Sequence, residues 1–206
     1  MDSQTEAEMQ VLSKRDDEFG AMSRAMEEMN QKLYDNQQLI LSMAQHDVLT
    51  GLANRRNFAE FVQKCSANTM FTLISLDLDH FKEVNDNFGH QTGDAALLIL
   101  AEVLKIQFAD ALNVRMGGDE FLVVLTGKVQ KAEVEARLQA FMKQLTSVYD
   151  QDPDLKCLTI SAGIAYADGQ PVPIDVLMNR SDEALYAAKS SGRSCYRVYS
   201  EDMDII

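Results

Sequence analysis

Two pairs of carboxylates in this sequence stand where they could hold a metal ion. Asp119 and Glu120 follow two glycines in the stretch RMGGDEF (115–121). Taken alone, such a pair is commonly a solvated part of a turn. Asp77 and Asp79 stand two apart at the end of the apolar run FTLISLDLD, so as strand residues they share one face. Because carboxylates at a buried strand end are unfavourable without a cation, convergence of Asp77 and Asp119 predicts a hard-oxygen site that suits Mg²⁺.

The stretch between the two pairs, DHFKEVNDNFGHQTGD (79–94), could bind a nucleoside triphosphate. Backbone N–H groups near its start can hold phosphate oxygens, and Lys82 adds a movable positive charge. Asn85 and Asp94 suit a guanine edge, because a carboxylate accepts the N1–H and N2–H₂ that adenine lacks. The alternatives are a turn residue for Asn85 and a helix N-terminal acid for Asp94.

Lys189 and Arg193 lie four positions apart across a predicted helix end beside Gly192. They could bind the outer phosphates of a nucleotide, or they could simply complement the dipole of the helix. The three histidines of the chain lack metal-ligand spacing, and we expect only His90 to lie near a substrate.

After residue 46 the chain alternates between predicted helices and strands, which must position these residues. The helices are predicted at 54–66, 92–108, 131–149 and 174–192, and the strands at 71–79, 158–167 and 194–200. NVRM (113–116) and EFLVVLTG (120–127) are predicted to form a hairpin across the paired glycines. This order predicts an α/β (α+β) fold with a mixed central sheet flanked by helices.

The first 45 residues carry a different pattern, an apolar stripe at alternating spacings of three and four. The stripe consists of Phe19, Met22, Met26, Met29, Leu33, Asn36, Ile40 and Met43. A strict heptad stripe favours a parallel coiled coil that joins two copies of the chain, with an amphipathic helix lying on its own domain as the alternative. We therefore expect two regions, a coiled-coil helix at 1–45 and a globular domain at 46–206.

Composition excludes several classes of protein. The net charge of −13, from 19 basic and 32 acidic residues, disfavours binding to nucleic acid or to an anionic membrane. Three scattered cysteines argue against a disulfide framework or a zinc site. No stretch has the apolar length to span a bilayer, so we expect a soluble, cytoplasmic protein with no direct membrane contact.

Four stretches together resemble the GGDEF family of bacterial diguanylate cyclases. They are DVLTGLANRR (47–56), LDLDHFKEVNDNFGHQTGD (76–94), RMGGDEF (115–121) and SDEALYAAKSSGR (181–193). The resemblance extends over residues 46 to 199 and implies a fold like the palm of nucleotide cyclases and polymerases. It also implies a GTP-binding signalling enzyme, a transferase that condenses two GTP into cyclic di-GMP and releases two pyrophosphates.

The resemblance assigns roles by position. The residues implied to bind Mg²⁺, with Mn²⁺ as an alternative, are Asp77, the carbonyl of Leu78, Asp119 and Glu120. The residues implied to bind GTP are Phe81, Lys82, Asn85, His90, Asp94, Lys189 and Arg193. Asp119, Glu120 and Lys82 are the implied catalytic residues, with Glu120 binding a second ion or accepting the proton.

The chain departs from the family at two places. Many members carry an inhibitory product site, R-x-x-D, and its Arg and Asp positions are here Phe108 and Ala111. We therefore expect that feedback site to be absent. The Asn that often follows the late Gly-Arg is here Ser194, a change that we expect to be tolerated.

The stretch RDDEFGAMSRAMEEMNQKL (15–33) is similar to the last half of a HAMP signal-relay module, with an ordinary coiled coil as the alternative. The similarity to a HAMP module implies that the chain is the cytoplasmic end of an inner-membrane receptor.

Two other functions remain as alternatives to the cyclase. A silent GGDEF module that binds GTP or cyclic di-GMP is disfavoured by the intact motifs, and a palm-type transferase acting on nucleic acid is disfavoured by the negative charge.

Overall fold

A computed structural model of the chain describes the backbone of residues 18–203 and the side chains of residues 18–36 and 44–203. Contacts divide the chain into two compact units, with the boundary between Ala44 and Gln45. No helix within residues 18–203 is long and apolar enough to cross a membrane.

The part of the first unit that the structure describes belongs to one helix, α1, which spans Glu18–Gln45. The apolar stripe is exposed along it: Met22, Met26, Met29 and Leu33 each keep more than half of their surface accessible. The stripe residues Ile40 and Met43 lie outside the side chains that the structure describes. An exposed heptad stripe of this kind fits the predicted coiled-coil segment.

The second unit contains five helices and six strands within the described residues. In chain order they are β1 (Ala53–Asn54), α2 (Arg55–Lys64), β2 (Phe71–Asp79), α3 (Phe81–Phe88), α4 (His90–Gln107), β3 (Leu112–Gly117), β4 (Glu120–Thr126), α5 (Lys131–Tyr149), β5 (Thr159–Tyr166), α6 (Ile174–Ser190) and β6 (Tyr196–Val198).

The six strands form one sheet in the order β1-β3-β4-β2-β5-β6. β2 pairs antiparallel with both β4 and β5, and β3 pairs antiparallel with β4 across the glycine turn. The two outer pairs, β1 with β3 and β5 with β6, are parallel. The predicted mixed sheet flanked by helices is therefore confirmed, as are the central strand and the hairpin.

β2 separates two cores because its side chains alternate between the faces of the sheet. Ile74, Leu76 and Leu78 pack on the side covered by α4 and α5. Leu73 packs on the other side, against α2 and α6. Asp77 shares the register of Leu73, so it emerges beneath α6.

α6 lies unusually close to the sheet at Gly163, in the middle of β5. A Cβ atom at Gly163 would stand 2.1 Å from the carbonyl oxygen of Ser181 and 2.2 Å from the amide nitrogen of Leu185. Both are backbone atoms of α6, so only glycine permits this approach. The close packing fixes the helix that carries Lys189.

No helix was predicted between the end of β2 and residue 92, whereas the structure has the helix α3 there. Its buried residue is Val84, and Phe81 packs against the same core. Gly89, at φ 87°, separates α3 from α4, which begins two residues before the predicted start at 92. Asn54, where the predicted helix begins, caps α2 by accepting a hydrogen bond from the amide of Asn57.

Candidate active site

The two carboxylate pairs meet where β2 and the hairpin lie side by side. Asp77 stands directly opposite Glu120 in the antiparallel register of β2 and β4. Asp119 occupies the turn just before, and its carbonyl accepts a hydrogen bond from the amide of Leu78 at 3.4 Å. The structure therefore brings together the four residues predicted to form a metal site.

Lys189 of α6 reaches the same place. Its Nζ lies 2.7 Å from the Oδ1 of Asp77, which is buried. Burial raises the pKa of Asp77, the ion pair with Lys189 opposes that rise, and the nearby charges of Asp119 and Asp79 add to it. The site thus concentrates negative charge that one lysine only partly compensates.

The donors present fit Mg²⁺. Among the described residues, no three His, Cys, Asp or Glu side chains form a ready metal-binding group. Mg²⁺ does not require one, because it usually binds through one or two carboxylates together with water and substrate phosphates. Asp77 and Asp119 are donors of the type that such a site uses.

Asp79 differs from what its spacing suggested, because groups of the protein itself hydrogen-bond its carboxylate. Its carboxylate accepts hydrogen bonds from Thr159 Oγ1 at 2.8 Å, Ser161 Oγ at 2.8 Å and the amide of Ser194 at 3.1 Å. Arg193 Nε lies 3.9 Å away. Asp79 therefore anchors the segment after α6 and needs no metal ion. The same contact holds the predicted phosphate-binding Arg193 at the edge of the site.

A cleft of about 320 Å³ lies beside Asp77 and is also lined by Glu120 and Lys189. Within it, Ser75 donates a hydrogen bond to Asp182 at 2.8 Å. The sequence analysis missed Asp182. Its position seven residues before Lys189 places both on one face of α6, and that spacing could have revealed it.

The first turn of α3 lies immediately after Asp79. His80 adopts the left-handed conformation, at φ 63°, and provides no side-chain cap for the helix. By helix geometry the first amides of α3 lack intrahelical acceptors, so they can receive an anion. Lys82 is exposed in this turn, while Phe81 is partly buried against the core.

Asn85, one of the predicted guanine-binding pair, lies against Gly93, the residue that precedes its predicted partner Asp94. A Cβ atom at Gly93 would stand only 2.1 Å from the Oδ1 of Asn85, so the amide of Asn85 rests against the backbone of α4. Asp94 is the next residue and is exposed, as is His90 at the start of α4. The need for glycine at this position was also missed; a glycine inside a helical stretch was the available signal.

The inhibitory product site was expected to be absent at positions 108 and 111, and the side chain at position 108 is part of the core. Phe108 is fully buried and packs edge-on against Phe141, with ring centroids 6.3 Å apart. The guanidinium of Arg137 covers the ring of Phe108 at 4.8 Å and pairs with Asp110. The hydrogen bond from Arg137 lowers the pKa of Asp110 despite some desolvation.

Known proteins are similar to this chain over most of its globular unit. The profile of the family described as "Diguanylate cyclase, GGDEF domain" matches residues 44–195. The probable diguanylate cyclase DgcC of Escherichia coli K12 is 33% identical over 170 residues, which cover 79% of this chain and 45% of DgcC. The diguanylate cyclase DgcS of Shewanella oneidensis is 29% identical over 162 residues, covering 75% of this chain and 53% of DgcS. The chain thus spans about half the length of these curated relatives.

Among solved structures, the coiled coil and GGDEF domain of DgcB from Caulobacter crescentus, in complex with c-di-GMP, is similar over 89% of this chain and 99% of its own. The TM-score is 0.72 and the identity 29%. The diguanylate cyclase SiaD of Pseudomonas aeruginosa, crystallised with its activator SiaC, is similar over 95% of this chain, with a TM-score of 0.66 and 25% identity.

Proposed function

Because the chain belongs to the GGDEF domain family of diguanylate cyclases, we propose that it is a catalytically active member. It condenses two molecules of GTP into cyclic di-GMP and releases two pyrophosphates. The observation that carries this proposal is the register that sets Asp77 opposite Glu120, with Asp119 in the adjoining turn. A silent module would have no need to keep these repelling carboxylates together, with Asp77 buried among them.

Asp77, the carbonyl of Leu78 and Asp119 would hold Mg²⁺, and Glu120 would hold a second ion or accept the proton. Bound there, Mg²⁺ would neutralise phosphate charge and lower the pKa of the attacking 3′-hydroxyl. The burial of Asp77, together with the smaller effect of the nearby carboxylates, raises its pKa and supports this assignment, because such a carboxylate gains most from a cation.

The remaining residues bind and orient GTP. The first turn of α3, with Phe81 and Lys82, receives phosphate oxygens, and Lys82 stabilises the charge that develops on them. Lys189 and Arg193 hold the outer phosphates from the opposite side. Lys189 already lies at the carboxylate site, 2.7 Å from Asp77.

Guanine is selected between α3 and α4. Asp94 accepts the N1–H and N2–H₂ of the base, Asn85 contacts the same edge, and His90 lies close by. An adenine would place its N1 acceptor against a carboxylate, which leaves both groups without a partner. The substrate is therefore GTP rather than ATP.

The test is incubation with GTP and Mg²⁺ followed by chromatography of the nucleotides, for the wild-type chain and for Asp119→Ala. The wild type should form cyclic di-GMP, and Asp119→Ala should form none while keeping its melting temperature. Lys128→Ala, in the loop after β4, serves as a control. Product formation by Asp119→Ala would refute the metal assignment. Tight GTP binding without product by the wild type would instead support a silent module.

Two catalytic domains must face each other, because each supplies one GTP to a two-fold symmetric product. We propose that α1 pairs two chains in parallel through its exposed methionines and Leu33. The similarity to the DgcB structure, which contains a coiled coil, supports this pairing. Within a bacterial cell, such an enzyme would act in the cytoplasm, where GTP is available.

Replacing Met29 and Leu33 with Glu should give a monomer at micromolar concentration, lower the specific activity and leave GTP binding per chain intact. The matched control is Asn30→Glu with Gln31→Glu, which adds the same charge outside the stripe. Sedimentation and activity are measured over one dilution series. A variant that is monomeric throughout yet fully active would show that α1 is not the means of pairing.

A further inference from the structure

Arg115, two residues before the paired glycines, holds two separate segments of the chain together. Its Nε and Nη2 both donate to the carbonyl of Gly118, at 3.0 and 2.8 Å. Its Nη1 donates to the Oδ1 of Asp47 at 2.9 Å. The side chain is only 13% exposed, so its partners are protein groups rather than solvent.

The carbonyl of Gly118 belongs to the peptide unit that leads into Asp119. Gly117 and Gly118 have φ values of 151° and 54°, so the turn itself gives this peptide little restraint. A bulge between Arg115 and Gly117 interrupts the pairing of β3 with β4 at the same point. The peptide unit after Asp119 is held by the amide of Leu78. Arg115 therefore supplies the restraint on the near side of Asp119.

Asp47, at the other end of the contact with Arg115, is also held by hydrogen bonds. Asp47 accepts hydrogen bonds from the amide and the hydroxyl of Thr50, at 2.8 and 2.7 Å. Lys105 of α4 donates to the carbonyl of Thr50 at 3.1 Å, which ties this loop to the globular unit. Burial alone would raise the pKa of Asp47, but the hydrogen bonds from Thr50 and Arg115 outweigh it and lower the pKa. Asp47 is thus an anion that fixes the guanidinium.

We propose that Arg115 is a positioning residue for the catalytic turn and that Asp47 orients it. The series of contacts runs from Asp47 through Arg115 and the carbonyl of Gly118 to Asp119. Asp47 is the second residue after the end of α1. A rearrangement of the chain just after α1 could therefore reach Asp119 through this guanidinium. This inference rests on the proposed role of Asp119 in metal binding.

The test compares Arg115→Gln, Arg115→Lys and Asp47→Asn with a control, Arg56→Gln. Arg56 makes a comparable contact, 3.0 Å from Glu60, but its side chain is 70% exposed. We expect the first three variants to lower kcat by about 10- to 100-fold, since small displacements of catalytic groups have effects of that size. The Mg²⁺ concentration for half-maximal rate should rise at least about threefold. Arg115→Lys should resemble Arg115→Gln, because an ammonium cannot reproduce the guanidinium fork.

Hydrogen–deuterium exchange of the segment 116–121 gives a readout that does not depend on activity. Exchange should accelerate in Arg115→Gln and Asp47→Asn, and combining the two should add little to either. The control variant should match the wild type in every measurement. If Arg115→Gln does not fold, Arg115→Lys and Asp47→Asn decide the question.

Two outcomes would overturn the proposal. One is unchanged exchange at 116–121 in the Arg115 and Asp47 variants; the other is a loss of activity that merely follows a lower melting temperature, with unaltered Mg²⁺ dependence. If the wild type makes no cyclic di-GMP, the proposed function fails by itself. The exchange measurement then still shows whether Arg115 restrains the turn.

Discussion

Replacing Gly93 with Ala should leave the fold at least as stable as the wild type but impair the use of GTP. The new Cβ would stand 2.1 Å from Asn85 Oδ1 and 2.9 Å from its Cγ, with the ring of Phe81 at 3.2 Å. The oxygen must therefore move by more than about 1 Å to reach ordinary contact. The crowded atoms belong to side chains, so the backbone of α4 can stay in place. Ala is also favoured over Gly within a helix by about 1 kcal/mol.

The functional loss follows from the displaced amide of Asn85. Loss of the hydrogen bond between this amide and guanine should raise the free energy of the transition state by about 1 to 3 kcal/mol. The corresponding fall in kcat/KM for GTP is roughly 5- to 150-fold. The melting temperature should stay the same or rise while kcat/KM falls.

A double-mutant cycle separates this mechanism from general damage. Asn85→Ala, Gly93→Ala and the combined variant are compared with the wild type by steady-state kinetics and thermal melting. If Gly93 acts through Asn85, adding Gly93→Ala to Asn85→Ala should change kcat/KM by less than about twofold. Additive effects would contradict the reasoning, as would a lowered melting temperature or unchanged kinetics in the single variant.

Further predictions concern the rest of the globular unit. Gly163→Ala should lower the free energy of unfolding by about 3 kcal/mol in chemical denaturation, because the methyl group meets backbone atoms of α6. Asp94→Asn should reduce kcat/KM for GTP at least about tenfold, since guanine loses an anionic acceptor; unaltered kinetics would leave Asp94 a helix-start acid. Progress curves should not level off through the usual product site, because Phe108 is core; early levelling relieved by mutating residues 108–111 would contradict this. The stability difference between wild type and Asp47→Asn should be full above pH 3.8, the ordinary pKa, and vanish as pH falls through the lowered folded-state pKa. Denaturation from pH 2 to 7 would test this, and a difference that grows in acid would refute it.

The features that could be predicted from the sequence are those that depend on a few neighbouring residues. The apolar run of β2 and the glycine pair of the hairpin each carry their signal within a few residues. Once both elements are assigned, pairing β2 with the hairpin sets Asp77 near Asp119 without further information. The cap at Asn54 and the exact bounds of α5 are likewise local.

Contacts between distant segments explain what the sequence could not predict. Asp79 looked like a partner of Asp77 in metal binding because both share a face, yet Thr159, Ser161 and Ser194 satisfy it from elsewhere in the chain. α3 was not predicted because it is a helix of only eight residues, most of them polar. The roles of the site residues toward GTP and metal remain predictions until they are tested.

The buried carboxylate of Asp79 also sets a condition on the synthesis of the protein. Its partners come 80, 82 and 115 positions later in the chain. While the chain emerges from the ribosome, the strand that bears Asp77 is made early, but the neighbouring carboxylate of Asp79 lacks its last hydrogen-bond partner until Ser194 has been added. The strand can therefore reach its final environment only late in translation. A partly made chain would not offer a finished nucleotide site, and a fragment that stops at the end of α6 should fold poorly.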